Sequence, residues 1–344
     1  MLFSIEFQNN MKLKIPVFSL VIFFNSLYGS FAQNLDSIPF LKNTELIAKV
    51  YSHFRTSLNS QQTAFDITRA YLGFESHIAE NYTIILKMDI GSPEDLSEYS
   101  RIKRYAYFKN AELRYHINDL ILSFGIIDML QFKVQEKFWD HRYLYKSFMD
   151  QYRFGSSADL GTQAIYKVNC WLTGDITFSN GEGYSKLQLD NSFKTGIGAT
   201  FLPVKGLVLR GYYSFLSKDK VMQSTLSAFA GYTIKSFKIG GEINYRINDT
   251  NEENLNKWGY SFYSMFNFAK KWEVFARYDI LTSSKVNGEE YGWNYAKDGS
   301  ALIAGVQFRP IKNVNIALDY RDWYPYPQNL KNSKFIFLNL EYKL

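Results

Sequence analysis

The sequence has 344 residues, of which 46% are hydrophobic, 18% aromatic and 21% charged, and its formal net charge is +6. This apolar content excludes a disordered chain. A mean hydropathy of −0.24, without any uncharged apolar run of about 18 residues after the first thirty positions, excludes a bundle of membrane-spanning helices. Because Cys170 is the single cysteine, the chain can form neither a disulfide framework nor a cluster of thiolate metal ligands.

Aromatic residues are unusually abundant, with 29 phenylalanines and 26 tyrosines. A soluble core of this size does not need so many rings, and yet the average hydropathy of the chain is polar. A β-barrel in which alternate residues face lipid and water combines both properties. Composition therefore favours a membrane β-barrel.

Residues 1–32 are predicted to be a cleaved secretory signal. Two lysines precede an apolar stretch over residues 15–24, and Ser30 and Ala32 are small residues at the positions that signal peptidases recognise. A membrane anchor helix is the alternative, but the apolar stretch is short for a membrane span. Residues 33–344 are then a single exported domain.

Apolar and polar residues alternate with period two in one segment after another of this domain. For example, Ile239, Ile243 and Tyr245 alternate with Glu242 and Arg246. We count sixteen such segments, centred near residues 51, 71, 86, 112, 124, 163, 175, 198, 211, 229, 242, 263, 276, 305, 318 and 339. Period two is typical of amphipathic strands, so the sequence predicts an even number of them.

The connections between these segments alternate in length. Tight connections such as residues 117–119, 235–236 and 269–271 are followed by long polar ones such as residues 128–157 and 282–299. Transmembrane β-barrels have this asymmetry, with short periplasmic turns and long external loops. At about ten residues a strand, sixteen spanning strands and their connections use the whole exported chain. We therefore predict an all-β transmembrane antiparallel barrel, without a separate N-terminal coiled coil.

A soluble β-sandwich or propeller would also alternate with period two, but two features favour the membrane barrel. Aromatic residues such as Tyr82, Tyr115 and Trp272 stand at the ends of the apolar faces, as in an interfacial girdle. The final segment alternates up to Leu344. This ending resembles the C-terminal signal that the barrel assembly machinery of outer membranes recognises, so we expect that machinery to be a partner.

Three stretches resemble the phosphate-selective porin O/P family. They are residues 65–75 (FDITRAYLGFE), the hairpin over residues 108–128 and residues 153–161 (RFGSSADLG). The resemblance implies a sixteen-stranded, usually trimeric diffusion channel, surrounded by lipid in the outer membrane of a Gram-negative-type bacterium. It does not imply phosphate specificity, because the basic residues that select phosphate in the family cannot be matched position by position.

The connection over residues 128–157, between the fifth and sixth strands, is the candidate constriction of the pore. In sixteen-stranded porins the loop at this position folds inward, so the resemblance implies the same arrangement here. The candidate constriction residues are its basic residues Lys133, Lys137, Arg142 and Lys146. A solvated external lid and an interface with a neighbouring subunit are the alternatives.

The polar faces of the strands carry thirteen basic and ten acidic residues. The candidates for the lumen wall are Arg55, Arg69, Lys87, Arg114, Arg210, Arg246, Arg277 and Arg321. Paired charges would brace the wall, whereas the small excess of cations would give a weak preference for anions.

Signals for catalysis and for nucleic-acid binding are weak. The histidines lack metal-ligand spacing, and the basic residues are spread over strands rather than clustered. His141, Ser147 and Asp150 are the residue types of a catalytic triad within one loop. We expect no enzyme, metal, cofactor or nucleic-acid partner.

The sequence thus predicts an outer-membrane porin for passive diffusion of small hydrophilic or anionic solutes. The alternative is a nonconducting barrel that acts as an adhesin or ligand-binding protein through its external loops.

Overall fold

A computed structural model of the chain describes residues 43–91, 105–327 and 330–344. The predicted signal over residues 1–32 lies outside the described residues. Sixteen antiparallel strands form one closed sheet. The first eight are β1 (Thr44–Ser57), β2 (Thr63–Ala79), β3 (Tyr82–Gly91), β4 (Tyr105–Ile117), β5 (Leu120–Asp128), β6 (Ala158–Lys167), β7 (Leu172–Ser179) and β8 (Lys194–Phe201). The other eight are β9 (Leu207–Lys218), β10 (Val221–Ile234), β11 (Phe237–Ile247), β12 (Lys257–Ala269), β13 (Trp272–Ser283), β14 (Gly299–Phe308), β15 (Val314–Pro325) and β16 (Ser333–Lys343).

Each of the sixteen predicted segment centres lies in one of these strands, in the predicted order. The prediction of an all-β, sixteen-stranded antiparallel barrel is therefore confirmed. The described part of the chain also contains two short helices, α1 (Lys133–Trp139) and α2 (Phe148–Gln151), and a 3-10 turn at Asp249–Asn251. None of its helices has the length and hydropathy of a membrane-spanning helix.

The barrel closes between its first and last strands. β1 pairs with β16 over nine residue pairs, from Lys49 opposite Lys343 to Ser57 opposite Phe335. The backbone N–H of Leu344 also donates to the carbonyl of Ala48 at 3.0 Å. Closure leaves no strand with an unpaired edge, which is the condition for a sheet to cross a bilayer.

Over most of the wall, apolar side chains face outward and polar side chains face inward. On β11, Ile239 and Ile243 are 50% and 57% exposed, whereas Glu242, Asn244 and Arg246 are at most 6% exposed. The pleat of a strand turns alternate side chains to opposite faces, so the period-two pattern of the sequence becomes two surfaces. This distribution is the reverse of that in a soluble protein, in which the apolar face is the buried one.

Connection length differs between the two ends of the barrel. At one end every turn has between two and five residues, as at 118–119, 235–236 and 309–313. At the other end the connections are mostly longer, and the longest, residues 129–157, joins β5 to β6. One connection at the long end is also tight, because Asp219 and Lys220 form a two-residue hairpin turn with φ of 49° and 67°. Positive φ at both central residues gives the twist that a two-residue hairpin needs.

Aromatic pairs stand on the outer wall next to the short turns. Tyr82 stacks on Tyr115 with ring centroids 4.6 Å apart, and Trp272 stacks on Phe308 at 4.5 Å. Tyr82 and Trp272 are about two-fifths exposed, at 40% and 42%. Amphipathic rings at the end of an apolar band are typical of a membrane-water interface.

Candidate functional site

The connection over residues 129–157, called loop three below, packs against the inward-facing side chains of the wall. Its large side chains Phe132, Trp139, Phe148 and Phe154 are each at most 1% exposed. α1 ends at Asp140, which has the left-handed φ of 55° and donates its N–H to the carbonyl of Glu136.

An apolar patch on the inner wall receives loop three. Inward-facing Tyr263 and Phe275 lie on β12 and β13, and Trp139 packs on them with ring centroids 5.3 and 6.2 Å away. Tyr143 and Leu144 belong to the same buried cluster. Burial of these rings stabilises the docked loop through the hydrophobic effect.

Two glycines on neighbouring strands make room for α1. Gly231 of β10 pairs directly with Gly240 of β11. A Cβ atom would lie 2.6 Å from the ring of Phe138 at Gly231 and 3.0 Å from it at Gly240. At Gly240 the ring of Tyr263 is nearer still, at 2.7 Å. The absence of Cβ atoms at both positions lets the ring of Phe138 reach the wall.

Three arginines of the wall hold the backbone of loop three. Arg210 donates to the carbonyl of Leu130 at 2.8 Å, and Arg277 donates to that of Lys146 at 2.8 Å. Arg246 donates to the carbonyls of Arg153, at 2.9 Å, and Phe154. Carbonyl oxygens outside regular secondary structure need hydrogen-bond donors, and these guanidinium groups provide charged ones.

Each of these arginines also has a carboxylate partner. Arg210 pairs with Asp175 at 2.7 Å, and Arg277 pairs with Asp279 at 2.8 Å. Arg246 pairs with Asp249 at 3.0 Å. All three point into the barrel, as expected from their strand faces, but loop three covers them and they are at most 6% exposed. They anchor the loop instead of lining an open passage.

The other five candidates for the lumen wall lie elsewhere in the barrel. Arg69 pairs with Asp89 at 2.7 Å, Arg114 with Glu112 at 3.0 Å and Arg321 with Asp319 at 2.6 Å. Arg55 is exposed, and Lys87 lines a cavity against loop three. Most of the candidate arginines are thus neutralised by a carboxylate within the same wall.

This cavity separates loop three from strands β1 to β4 and has a volume of about 140 Å³. Its charged lining residues are Lys49, Lys87, Lys109, Lys133, Arg142, Asp128 and Glu136. Five cations therefore face two carboxylates. The hydroxyphenyl rings of Tyr51 and Tyr71 complete the wall on the side of β1 and β2. Two of the four constriction candidates, Lys133 and Arg142, thus line the same cavity as Lys87, one of the candidates for the lumen wall.

The loop cations of the cavity keep their charge because carboxylates neighbour them. Burial acts to lower the pKa of Lys133, but Asp128 at 2.8 Å raises it above its ordinary value. Burial also opposes the charge of Arg142, whose pKa is nevertheless raised by Asp150 at 3.0 Å. Both side chains contribute a positive potential at neutral pH.

The remaining two constriction candidates do not line the cavity. Lys137 is exposed on α1. Lys146 lies 3.8 Å from Asp150, the carboxylate that also pairs with Arg142.

Lys109 is a cavity residue that strict alternation misses. A β-bulge lies between β3 and β4, where Lys87 pairs with Asn110 and the next residue, Met88, pairs with Phe108. The extra residue turns inward, and Lys109 donates to the hydroxyl of Ser157 at 2.7 Å. An unbroken period would put this lysine on the lipid face, so a charge at an outward position is the signal that a bulge is present.

The structure separates the three residues that resemble a catalytic triad. His141 places Nε2 2.8 Å from Oε1 of Glu273 and Nδ1 2.6 Å from the carbonyl of Trp139. Asp150 is bound by Arg142 instead. His141 and Asp150 thus face Glu273 and Arg142, and the Ser147 hydroxyl has no hydrogen-bond partner among the described residues.

No protein-family model matches the sequence, and no curated protein matches it. Solved structures share the fold. An OmpF structure from Salmonella typhi, in complex with daunomycin, is 12% identical with a TM-score of 0.66, over 88% of this chain and 98% of that chain. The outer membrane channel DcaP of Acinetobacter baumannii is 9% identical with a TM-score of 0.63, over 88% and 97%. A mutant of the Rh. blastica porin is 10% identical with a TM-score of 0.56, over 88% and 100%. At identities this low, the structural similarity establishes the fold alone, which is that of outer-membrane β-barrels.

Proposed function

We propose that the protein is an outer-membrane porin, a water-filled channel for passive diffusion of small hydrophilic solutes with a weak preference for anions. The observation that carries this proposal is the cavity beside loop three, where five cations face two carboxylates. Low-dielectric walls focus the field of such a cluster, so the narrowest part of the passage attracts anions.

The membrane location is supported by the surface of the barrel. Exposed Ile239, Ile243, Leu226 and Phe262 belong to an apolar band on neighbouring strands. In water such a band would drive aggregation, whereas a bilayer covers it. The polar interior and the internally paired backbone satisfy the other requirement of a spanning segment. The predicted secretory signal would deliver the chain to this membrane.

Diffusion through a fixed constriction requires no chemistry, which is why we propose a channel without enzymatic activity. Two of the triad-like residues of loop three make structural contacts instead, His141 with Glu273 and Asp150 with Arg142. A homotrimer is proposed by analogy with porins, and one of the structural neighbours, OmpT of Vibrio cholerae, is described in a trimer form. Assembly into the membrane would use the barrel assembly machinery.

Planar-bilayer recording of the refolded protein tests the proposal. We expect discrete conductance steps and, in a salt gradient, a reversal potential shifted toward that of the anion. A folded barrel that inserts but shows no steps would refute the channel. Equal permeability to both ions would leave a channel and refute the anion preference.

A ligand-binding role for the external connections is the second candidate. Tyr291 and Tyr295 stack with ring centroids 4.4 Å apart in the connection between β13 and β14. Tyr291 is half exposed, so one face of an aromatic pair is open to solvent. Such a surface suits sugar rings, and binding by a nonconducting barrel would favour this candidate over the porin.

A further inference from the structure

Five aromatic rings lie in the part of the lumen nearer the long connections. They are Trp323 of β15, Phe335 and Phe337 of β16, and Tyr145 and Tyr152 of loop three, called the aromatic strip below. The ring centroids of Phe335 and Phe337 are 5.8 Å apart, and that of Tyr152 is 6.0 Å from that of Trp323. Phe335 and Trp323 are partly exposed. The strip therefore offers ring surface to a solute in the lumen.

The two phenylalanines of β16 face the lumen and not the lipid. They alternate with Ile336 and Leu338, which are 37% and 49% exposed on the outer wall. Across the seam, Phe337 pairs with Arg55 of β1. Residues directly opposite each other share one face of a sheet, so Arg55 also belongs to the wall of the lumen.

Two arginines accompany the rings. The guanidinium carbon of Arg321 lies 3.7 Å from the ring centroid of Phe337 and 5.9 Å from that of Tyr145. The guanidinium carbon of Arg55 lies 5.9 Å from the ring centroid of Phe335. Arg55 is exposed, and among the described residues no carboxylate lies within ion-pair distance of it. Arg55 can therefore bind an anionic solute.

The polar groups beside the rings are engaged with one another. Arg321 donates to the carboxylate of Asp319 at 2.6 Å and to the side-chain oxygen of Asn339 at 2.9 Å. The amide of Asn339 donates to Asp319 as well. The phenylalanine rings have no polar atoms. A neutral sugar, which needs several hydrogen bonds, thus finds few partners at this wall.

The combination of bare rings and one available guanidinium matches an aromatic carboxylate. Its ring can stack on Phe335, and its carboxylate can accept two parallel hydrogen bonds from Arg55. A compact inorganic anion would use the guanidinium but gain nothing from the rings. The wall therefore favours an anion whose charge is attached to a planar ring.

The aromatic strip leads to the cavity beside loop three. Below Arg55, the next inward-facing residues of β1 are His53 and Tyr51. The ring of His53 lies 5.1 Å from that of Phe337, and Tyr51 lines the cavity and lies 5.9 Å from Tyr71. Rings thus follow one another along the wall as far as the cations of the cavity.

We propose that the aromatic strip binds aromatic carboxylates and guides them toward this cavity. The inference rests on the porin function proposed above, because it names a class of solute for the same lumen. Binding itself requires only the folded barrel, so it can be measured without conduction.

Fluorine NMR titration of the refolded protein in detergent tests the site, with para-fluorobenzoate as the probe and empty micelles as the background. We expect saturable binding. Benzoate should displace the probe at a concentration about fivefold lower than cyclohexanecarboxylate, which has the same charge but no π face. Inorganic phosphate and maltose should displace it least.

Two variants locate the site. Arg55→Gln should weaken binding of the probe about tenfold, because the carboxylate loses its charged partner, and Phe335→Leu about fivefold, because the stacked ring is gone. The matched controls are Lys285→Gln in the connection between β13 and β14, and Phe124→Leu, a ring of β5 that is 70% exposed on the outer wall. Both controls should bind the probe as the parent does.

The proposal would be overturned by equal displacement with benzoate and cyclohexanecarboxylate, by phosphate or maltose displacing the probe as well as benzoate, or by unchanged binding in either variant. Mobility on unheated gels identifies the variants that fold, and the exposed position of Arg55 keeps Arg55→Gln available as a test if the ring variant does not fold. Conductance of the same samples separates the two proposals. A barrel that binds the probe without conducting refutes only the channel, and one that conducts without binding it refutes only this site.

Discussion

The imidazole of His141 and the carboxylate of Glu273 meet at 2.8 Å in the joint between loop three and β13, where both side chains are at most 3% exposed. The second ring nitrogen of His141 faces the carbonyl of Trp139. Both neighbours are potential acceptors for an imidazole N–H. Arg309 lies 3.3 Å from the same carboxylate of Glu273. Loop three is therefore held against the wall by a buried polar contact between His141 and Glu273.

Removing the negative partner alone should weaken the protein. Glu273→Gln removes the carboxylate that His141 and Arg309 contact in a buried joint, so we expect a loss of about 3 kcal/mol in the free energy of unfolding. Urea titration in detergent measures this loss. The double variant His141→Leu with Glu273→Leu should lose less, because neither partner of the His141–Glu273 contact is left buried alone. Glu289→Gln, an exposed change in the connection over 284–298, is the control. A double variant less stable than the single one would contradict this interpretation of the contact.

A methyl group at Gly231 should narrow the pore. Gly231→Ala places a Cβ atom 2.6 Å from the ring of Phe138, so α1 must move away from the wall and toward the cavity on the other side. We expect lower single-channel conductance and a stability loss of about 1 to 3 kcal/mol from overpacking.

Two further variants make this test specific. Gly211→Ala is the matched control, because a Cβ atom at Gly211 has no heavy atom within 4 Å. Combining Gly231→Ala with Phe138→Ala should restore the conductance, since α1 then no longer meets the added methyl group. The other close ring, Phe229 at 2.7 Å, belongs to the wall and not to α1. Equal effects of the two glycine changes would mean that Phe138 does not transmit the displacement.

Charge reversal at the cavity should change ion selectivity. Lys87→Glu replaces a cation that lines the cavity, so the reversal potential in a salt gradient should move toward cations. The shift should be largest at about 10 mM salt, where the screening length is about 30 Å. Lys137→Glu on the exposed side of α1 should shift the reversal potential less, and Lys285→Glu in the connection over 284–298 should leave it nearly unchanged. An unchanged reversal potential for Lys87→Glu would place the selective step elsewhere.

Shortening the last strand should impair assembly. Deleting residues 342–344 removes the pairs of Tyr342 with Val50 and of Lys343 with Lys49, which belong to the seam between β16 and β1. We expect less folded protein in the outer membrane while export continues, measured by surface labelling and by mobility on unheated gels. Deletion of residues 287–289 removes as many residues from a long connection and should leave assembly normal. Normal surface levels of the shortened chain would contradict an assembly role for this strand.

The strands and the loop differ in how far the sequence predicts them. Each strand carries its own period-two pattern within about ten consecutive residues, so the number and order of the strands follow from local sequence. The inward orientation of Lys109 cannot be predicted in this way, because it depends on a bulge between β3 and β4. The seat of loop three depends on contacts between distant positions, such as the hydroxyl of Tyr143 and the side-chain amide of Gln307, 164 positions apart and separated by 2.6 Å.

The pairing of β1 with β16 also has a consequence for the order of folding. All the other strand pairs in the sheet join strands that are consecutive in the chain. The seam alone joins residues from opposite ends, such as Lys49 and Lys343. The chain entropy lost when two segments pair grows with the number of residues between them. Hairpins therefore cost little entropy, and the pairing of β1 with β16 costs the most. We therefore expect the seam to form last, so that the sheet stays open during folding and the lumen becomes enclosed in a single late step.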